Sequence, residues 1–186
     1  MLFINTISAK RKVDYNMRVY RLNEAAELPA FATEGSACFD LKVCITQQTK
    51  LKTYNPHNKE IEVPTRIGSD GRAVTVLHPQ FRTLVPTGLI FDIPKNHVLK
   101  VYPRSGMSVK YGIGLANSVG VVDSDYVEEV FIPIYNMSDT PINIFHGDRL
   151  AQAVLEEVKQ YTLVERKSRP EQKTDRAGGF GSTGTE

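Results

Sequence analysis

Val130 to Tyr135 reads VFIPIY. Val130, Ile132 and Ile134 alternate with Phe131, Pro133 and Tyr135, so an extended chain here is apolar or aromatic on both faces. A strand of that kind is expected to be buried on both sides, inside a sandwich, jelly roll or barrel or against another subunit. Working outward, β-branched and period-2 segments recur at 73–77, 83–85, 89–93, 98–102, 113–122, 127–135 and 151–158, each bounded by Pro, Gly, Asn or Asp. Helix signals are confined to Glu24 to Leu28 and Ser105 to Tyr111, a turn or two each. The pattern predicts an all-β fold, a jelly-roll-like barrel or sandwich with one or two very short helices.

The chain has 186 residues with a formal net charge of +2, 24% charged and 41% hydrophobic residues. That size suits one domain with a real core, and that balance excludes disorder, coiled coil and a broadly basic nucleic-acid surface. No apolar run approaches the roughly 18 residues of a membrane span. Cys38 and Cys44 stand on one extended stretch, roughly 20 Å apart, too far to bridge each other, and a reducing, cytoplasmic compartment is expected. His57, His78, His97 and His146 share no metal-ligand spacing.

Residues 1–16 have a short apolar start followed by Lys10, Arg11 and Lys12, without the long apolar core of a signal peptide, and are read as an N-terminal extension. The β domain is assigned to 17–164, opening at MRVYRL. Within it, 47–72 is polar and carries Asn-Pro, Val-Pro and Asp-Gly turn signals, which predict a surface insertion containing a hairpin. Residues 165–186 form a charge-mixed linker leading to a glycine-rich tip.

Chemistry concentrates in Pro103 to Tyr126, PRSGMSVKYGIGLANSVGVVDSDY. Arg104, Ser105 and Gly106 bring a cation, a hydroxyl and an unhindered amide to a helix start, an arrangement suited to an anion. Gly112, Gly114 and Gly120 then punctuate a hairpin with Asn117 near its turn. Asp123 and Asp125 would project to one side of an extended strand, as a base, a metal ligand or both, or simply as a polar strand end. The terminal RAGGFGSTGTE lacks the lysine of a P-loop. Its glycines flank Phe180 and would let the ring and the hydroxyls of Ser182 and Thr183 fold over a ligand, with Arg176 near a phosphate. The alternative is a disordered tail.

Taken in order, FATEGSACFDL, PRSGMS, GLANSVGVVDSDY, GDRLAQ and RAGGFGSTG resemble the motifs of the homotrimeric deoxyuridine triphosphate nucleotidohydrolases (dUTPases), from about Met17 to the C-terminus. The resemblance implies cleavage of dUTP to dUMP and pyrophosphate by water attack on the α-phosphorus with Mg²⁺ on the phosphates. This removes dUTP that could enter DNA and supplies dUMP for dTMP synthesis. It makes Asp123 the base and gives the uracil edge to Asn117 and neighbouring backbone of the hairpin, including Gly120 and Val122. Tyr126 would pack on the deoxyribose and exclude a 2′-hydroxyl. Arg104, Ser105 and Gly106 would hold phosphate oxygens, Gln152 a phosphate or a metal-bound water, and Asp40 the metal region through water. Arg176, Phe180, Gly181 and Ser182 would close over the site from a neighbouring subunit. The implied partners are dUTP and two further copies of the chain, with neither nucleic acid nor membrane.

The sequence departs from the family pattern at Glu128 and Cys38, where glycines are usual, and in a shorter spacing between Arg176 and Phe180. A dCTP deaminase of the same fold is the enzymatic alternative, although that family has Ser-Ser where Ser105-Gly106 stands. A nucleotide-sensing regulatory protein on the same scaffold is the non-enzymatic one.

Overall fold

The computed structural model describes residues 17–175. These form fourteen strands and one helix: β1 (Arg18–Arg21), β2 (Phe39–Lys42), β3 (Lys50–Tyr54), β4 (Glu60–Pro64), β5 (Arg66–Ile67), β6 (Ala73–Leu77), β7 (Arg82–Pro86), β8 (Leu89–Asp92), β9 (His97–Pro103), α1 (Ser105–Tyr111), β10 (Ile113–Leu115), β11 (Gly120–Val122), β12 (Phe131–Asn136), β13 (Ile142–Phe145) and β14 (Arg149–Glu157). The all-β expectation holds. The strands build four antiparallel sheets, ordered β10-β12-β7-β3-β4, β11-β9-β14-β2, β13-β6-β5 and β1-β8. All four contribute to one core cluster, through residues such as Ile132 and Val85, Leu41 and Leu99, Leu77 and Ile144, and Leu89 and Phe91. No helix among the described residues is long and apolar enough to cross a membrane.

The strand that opened the reading starts later and is less buried than expected. Regular pairing begins at Phe131, and Ile132, Ile134 and Asn136 form its buried face. The other face is not core: Phe131 is 42% exposed and Pro133 only half-buried.

Three further expectations change. Glu24 to Leu28 makes no helix, only a turn in which the Ala26 amide donates to the carbonyl and side-chain oxygens of Asn23. An asparagine that competes for backbone donors favours such a turn. The segment 113–122 is an arch rather than a hairpin. Its two strands join different sheets, β10 pairing with β12 and β11 with β9. Its crossing is tightened by Ser118 at φ +63°. Alternation cannot separate the two because each half reads as a strand either way. Finally, the hairpin expected within 47–72 forms as β3 and β4, yet it is more than a surface flap. Leu51 and Val63 are buried, and Thr53 pairs with Thr83 of β7, their hydroxyls 3.2 Å apart.

The helix expected at Ser105 to Tyr111 forms over those residues. Arg104 before it is extended at φ −92°, ψ 128°, and Gly112 ends it at φ +63°, a left-handed conformation that glycine takes without a Cβ penalty.

Candidate functional site

The arch and the turn that follows β11 create one cleft. Gly120 pairs with Val101 of β9, and a Cβ on Gly120 would lie 3.0 Å from the Val101 Cβ, so any larger residue would push Val101 aside by a few tenths of an ångström. Beyond Val122 the chain turns, with the Tyr126 amide donating to the Asp123 carbonyl at 3.1 Å. The Tyr126 hydroxyl donates to the Glu129 carbonyl at 2.9 Å, which fixes the ring. A cleft of about 230 Å³ results, with Asn117, Gly120, Val122, Asp123 and Tyr126 among its lining residues and the outer-face side chains Phe131 and Pro133 of β12 as an apolar wall. Five of the residues singled out in the sequence therefore meet in one place.

Asp125 does not line this cleft. A turn replaces the extended strand expected there, and Asp125 lines an adjoining cleft with Lys100 and His97, which Asp123 also lines from the boundary between the two. Glu129, just beyond the turn, accepts a 2.7 Å hydrogen bond from the Gly88 amide. Its burial pushes the carboxyl above the ordinary glutamate range, against the lowering effect of the backbone donors at Gly88 and Thr87.

A second cleft, of about 340 Å³, opens where β2, β14 and the start of α1 meet, and Asp40, Arg104, Ser105, Gly106, Gln152 and Cys38 line it. Asp40, Gln152 and Tyr102 stand in one cross-strand row, because Asp40 pairs with Gln152 and Gln152 with Tyr102. The Gln152 side-chain Nε2 donates to the Pro103 carbonyl at 3.0 Å, which anchors the chain just before Arg104. The first helical hydrogen bond runs from the Met107 amide to the Arg104 carbonyl, so the Ser105 and Gly106 amides precede the internal ladder of α1. A Cβ on Gly106 would meet no atom within 4 Å, leaving space for a ligand to approach the backbone. Cys38, where the family pattern has glycine, has its thiol raised first by burial and then by the charges of Glu156 and Asp40. At neutral pH it is a neutral thiol.

Asp40 is not an open carboxylate. One oxygen meets the Arg104 Nε at 2.9 Å and the other meets a terminal nitrogen of Arg149 at 2.9 Å. Arg149, which lines the same cleft, was missed from sequence. The signal was present in the consecutive apolar pair Leu150-Ala151, which breaks the alternation of β14 and marks a register shift. Among the described residues no three His, Cys, Asp or Glu side chains are grouped to hold a metal ion. Arg176, Phe180, Gly181 and Ser182 lie outside the described residues. The two clefts share no lining residue.

Comparison with known proteins identifies the family. Residues 69–184 match the dUTPase family model. The chain is 41% identical over 143 residues to the deoxyuridine 5'-triphosphate nucleotidohydrolase of Finegoldia magna, covering 73% of this chain and 99% of that protein. It is 37% identical over 169 residues to the Brucella melitensis biotype 2 protein of the same name, covering 90% and 92%. The Staphylococcus bacteriophage 80alpha dUTPase with dUPNHPP superposes with a TM-score of 0.69 over 91% of this chain and 98% of that one, at 20% identity, which speaks to the fold alone. A family model spanning more than half of the sequence, with relatives this similar across nearly their full length, places the chain in the dUTPase family.

Proposed function

We propose that the chain hydrolyses dUTP to dUMP and pyrophosphate, with the nucleoside in the arch cleft of one subunit and the phosphates in the arginine-lined cleft of another. The observation that carries this reading is the separation of the two clefts on one chain. The arch cleft, at about 230 Å³, is below the usual ligand-cleft range of about 300–1,000 Å³ and suits a nucleoside better than a whole triphosphate. The cations and open amides that a triphosphate needs lie in the other. Exposed apolar residues beside the arch, Val119, Val121 and Val127, suit a face covered by another copy. A closed homotrimer satisfies every copy with the same contact.

In this reading Asn117 and the arch backbone meet the uracil edge, and the tight Gly120–Val101 approach leaves little room beside it. Tyr126, held by its bond to the Glu129 carbonyl, packs on the deoxyribose. Asp123 accepts the proton of the water that attacks the α-phosphorus, and the bond to the pyrophosphate oxygen breaks. Arg104 and the Ser105 and Gly106 amides hold phosphate oxygens, with Gln152 beside them. Catalysis of phosphoryl transfer is mostly positioning and charge neutralisation. Mg²⁺ bound to the triphosphate would supply part of that neutralisation. With both Asp40 oxygens on arginines, Asp40 would reach such an ion only through water, and the substrate phosphates would hold most of it. Arg176 is assigned to the γ-phosphate and Phe180, Gly181 and Ser182 to covering the base, in the arm of a neighbouring subunit. The free thiols of Cys38 and Cys44 suit a reducing cytoplasm.

Complementation tests the shared site. Asp123→Asn removes the base carried by the nucleoside cleft and Arg104→Ala a cation of the phosphate cleft, so each variant alone should be nearly inactive. Unfolding and refolding the two together should restore a fraction of the pyrophosphate release, since some sites then combine two intact clefts. No recovery from a mixture of folded, co-assembled chains would mean that each site is built within one subunit.

A further inference from the structure

We infer that Asp40 acts as an anchor for two arginines, and that Arg149 is a positioning residue of the phosphate cleft. This deepens the reading above, since it concerns how that cleft is made competent. The two Asp40 oxygens are divided between Arg104 Nε and a terminal nitrogen of Arg149, both at 2.9 Å. A terminal nitrogen of Arg104 also donates to the Arg149 carbonyl at 2.8 Å, which closes the set into a ring. Asp40 is the innermost member, with its side chain 16% exposed against 50% for Arg149. An arginine presents five N–H donors in a rigid fork. Each of these two fixes its plane against the carboxylate and keeps other donors toward the cleft they both line with Ser105 and Gly106.

The backbone explains why Arg149 is there. In β14, Gln152 pairs with Asp40 and Ala151 with Leu41, but Arg149 rather than Leu150 pairs with Lys42. Leu150 is the extra residue and is buried, as is Ala151. Regular alternation would place Arg149 on the same face as Ala151, toward the core. The bulge returns it to the outer face beside Asp40, as bulges near functional sites commonly re-aim a side chain. Two guanidinium groups against one carboxylate leave a net positive charge at the cleft. A lone Arg104 on Asp40 would leave none.

The test uses the full chain and inorganic tripolyphosphate as probe, titrated by calorimetry in EDTA so that no metal contributes. Arg149→Gln should weaken tripolyphosphate about 10- to 100-fold, the range for losing a charged hydrogen-bonding partner. Asp40→Asn should weaken it by a similar factor, and the double variant should be little worse than either, because both act through one ring. Arg149→Lys, which keeps the charge, should recover part of the loss. With dUTP, Arg149→Gln should raise KM by more than it lowers kcat. Thermal melts of the four variants identify any that fail to fold, and the Arg149→Lys against Arg149→Gln comparison then carries the test. Tripolyphosphate affinity in Arg149→Gln within twofold of the unmodified chain would overturn the proposal. So would losses in Asp40→Asn and Arg149→Gln that multiply, or an Asp40→Asn loss seen only with Mg²⁺, which would make Asp40 a metal-side group. The probe requires no dUTP turnover, so a chain inactive on dUTP but sensitive at Arg149 would sink the proposed reaction and leave this inference standing.

Discussion

Gly106→Ala separates stability from function at a single atom. Gly106 is the second residue of α1, exposed, and a Cβ there meets no protein atom within 4 Å. Its φ does not lie in the left-handed region, unlike those of Gly88 and Gly112. The added methyl therefore strains nothing, and replacing glycine by alanine inside a helix stabilises by about 0.5–1 kcal/mol. For a chain of this length that is an upward shift of about 1–4 °C in Tm. Function should move the other way, because the space the methyl enters is where a phosphate oxygen must reach the backbone. Losing a charge-assisted hydrogen bond costs about 1.5–3 kcal/mol, which corresponds to about 10- to 100-fold. Pyrophosphate release at varied dUTP and differential scanning calorimetry together give both numbers. A variant that melts lower, or melts higher with unchanged KM, would refute the claim that this open space belongs to the ligand.

Other substitutions test other parts of the structure. Asp123→Asn should lower kcat about 10²- to 10⁴-fold, the usual contribution of a general base, with affinity for a non-hydrolysable dUTP analogue preserved. Wild-type turnover would remove Asp123 from the mechanism. Gly88→Ala should cost about 2–4 kcal/mol in urea unfolding, because Gly88 sits at φ +68° and its Cβ would lie 2.7 Å from both the Ala26 Cβ and the Cys44 sulfur. A loss under about 1 kcal/mol would mean that the Ala26 and Cys44 contacts can open at little cost. Glu129, raised by burial, binds its proton more tightly folded than unfolded. Its contribution is thus fully present below the unfolded value of about 4.3 and declines as pH rises through the folded one. Glu129→Gln should gain stability relative to the unmodified chain between pH 4 and neutrality, read from urea midpoints, and a difference independent of pH would contradict the burial argument.

Much of this was legible in the sequence because its signals are local. Alternation located β6 to β9 and β14, and the run from Arg104 to Tyr111, with Gly112 after it, marked α1. Of the four-residue strands, β8 stands out because Leu89, Ile90 and Phe91 are consecutive apolar residues, whereas β1, β2 and β13 interrupt theirs with Arg, Asp, Lys or Asn. The site residues were legible as types, and the structure gathers Asn117, Gly120, Val122, Asp123 and Tyr126 into one cleft. Three-dimensional relations were not legible. The arch looks like a hairpin until its strands find different partners, and the outer face of VFIPIY looks like core until Phe131 and Pro133 line the arch cleft. Arg149 reaches Asp40 across 109 positions of sequence, by way of a bulge, a distance over which no spacing rule operates.

The most direct test of the central claim is pyrophosphate release from dUTP, dCTP, dTTP and UTP side by side in Mg²⁺, with ammonia assayed in the dCTP reaction. The arch cleft, Tyr126 and Asp123 together require rapid release from dUTP and little from the other three. Ammonia from dCTP, or UTP cleaved as fast as dUTP, would contradict the assignment.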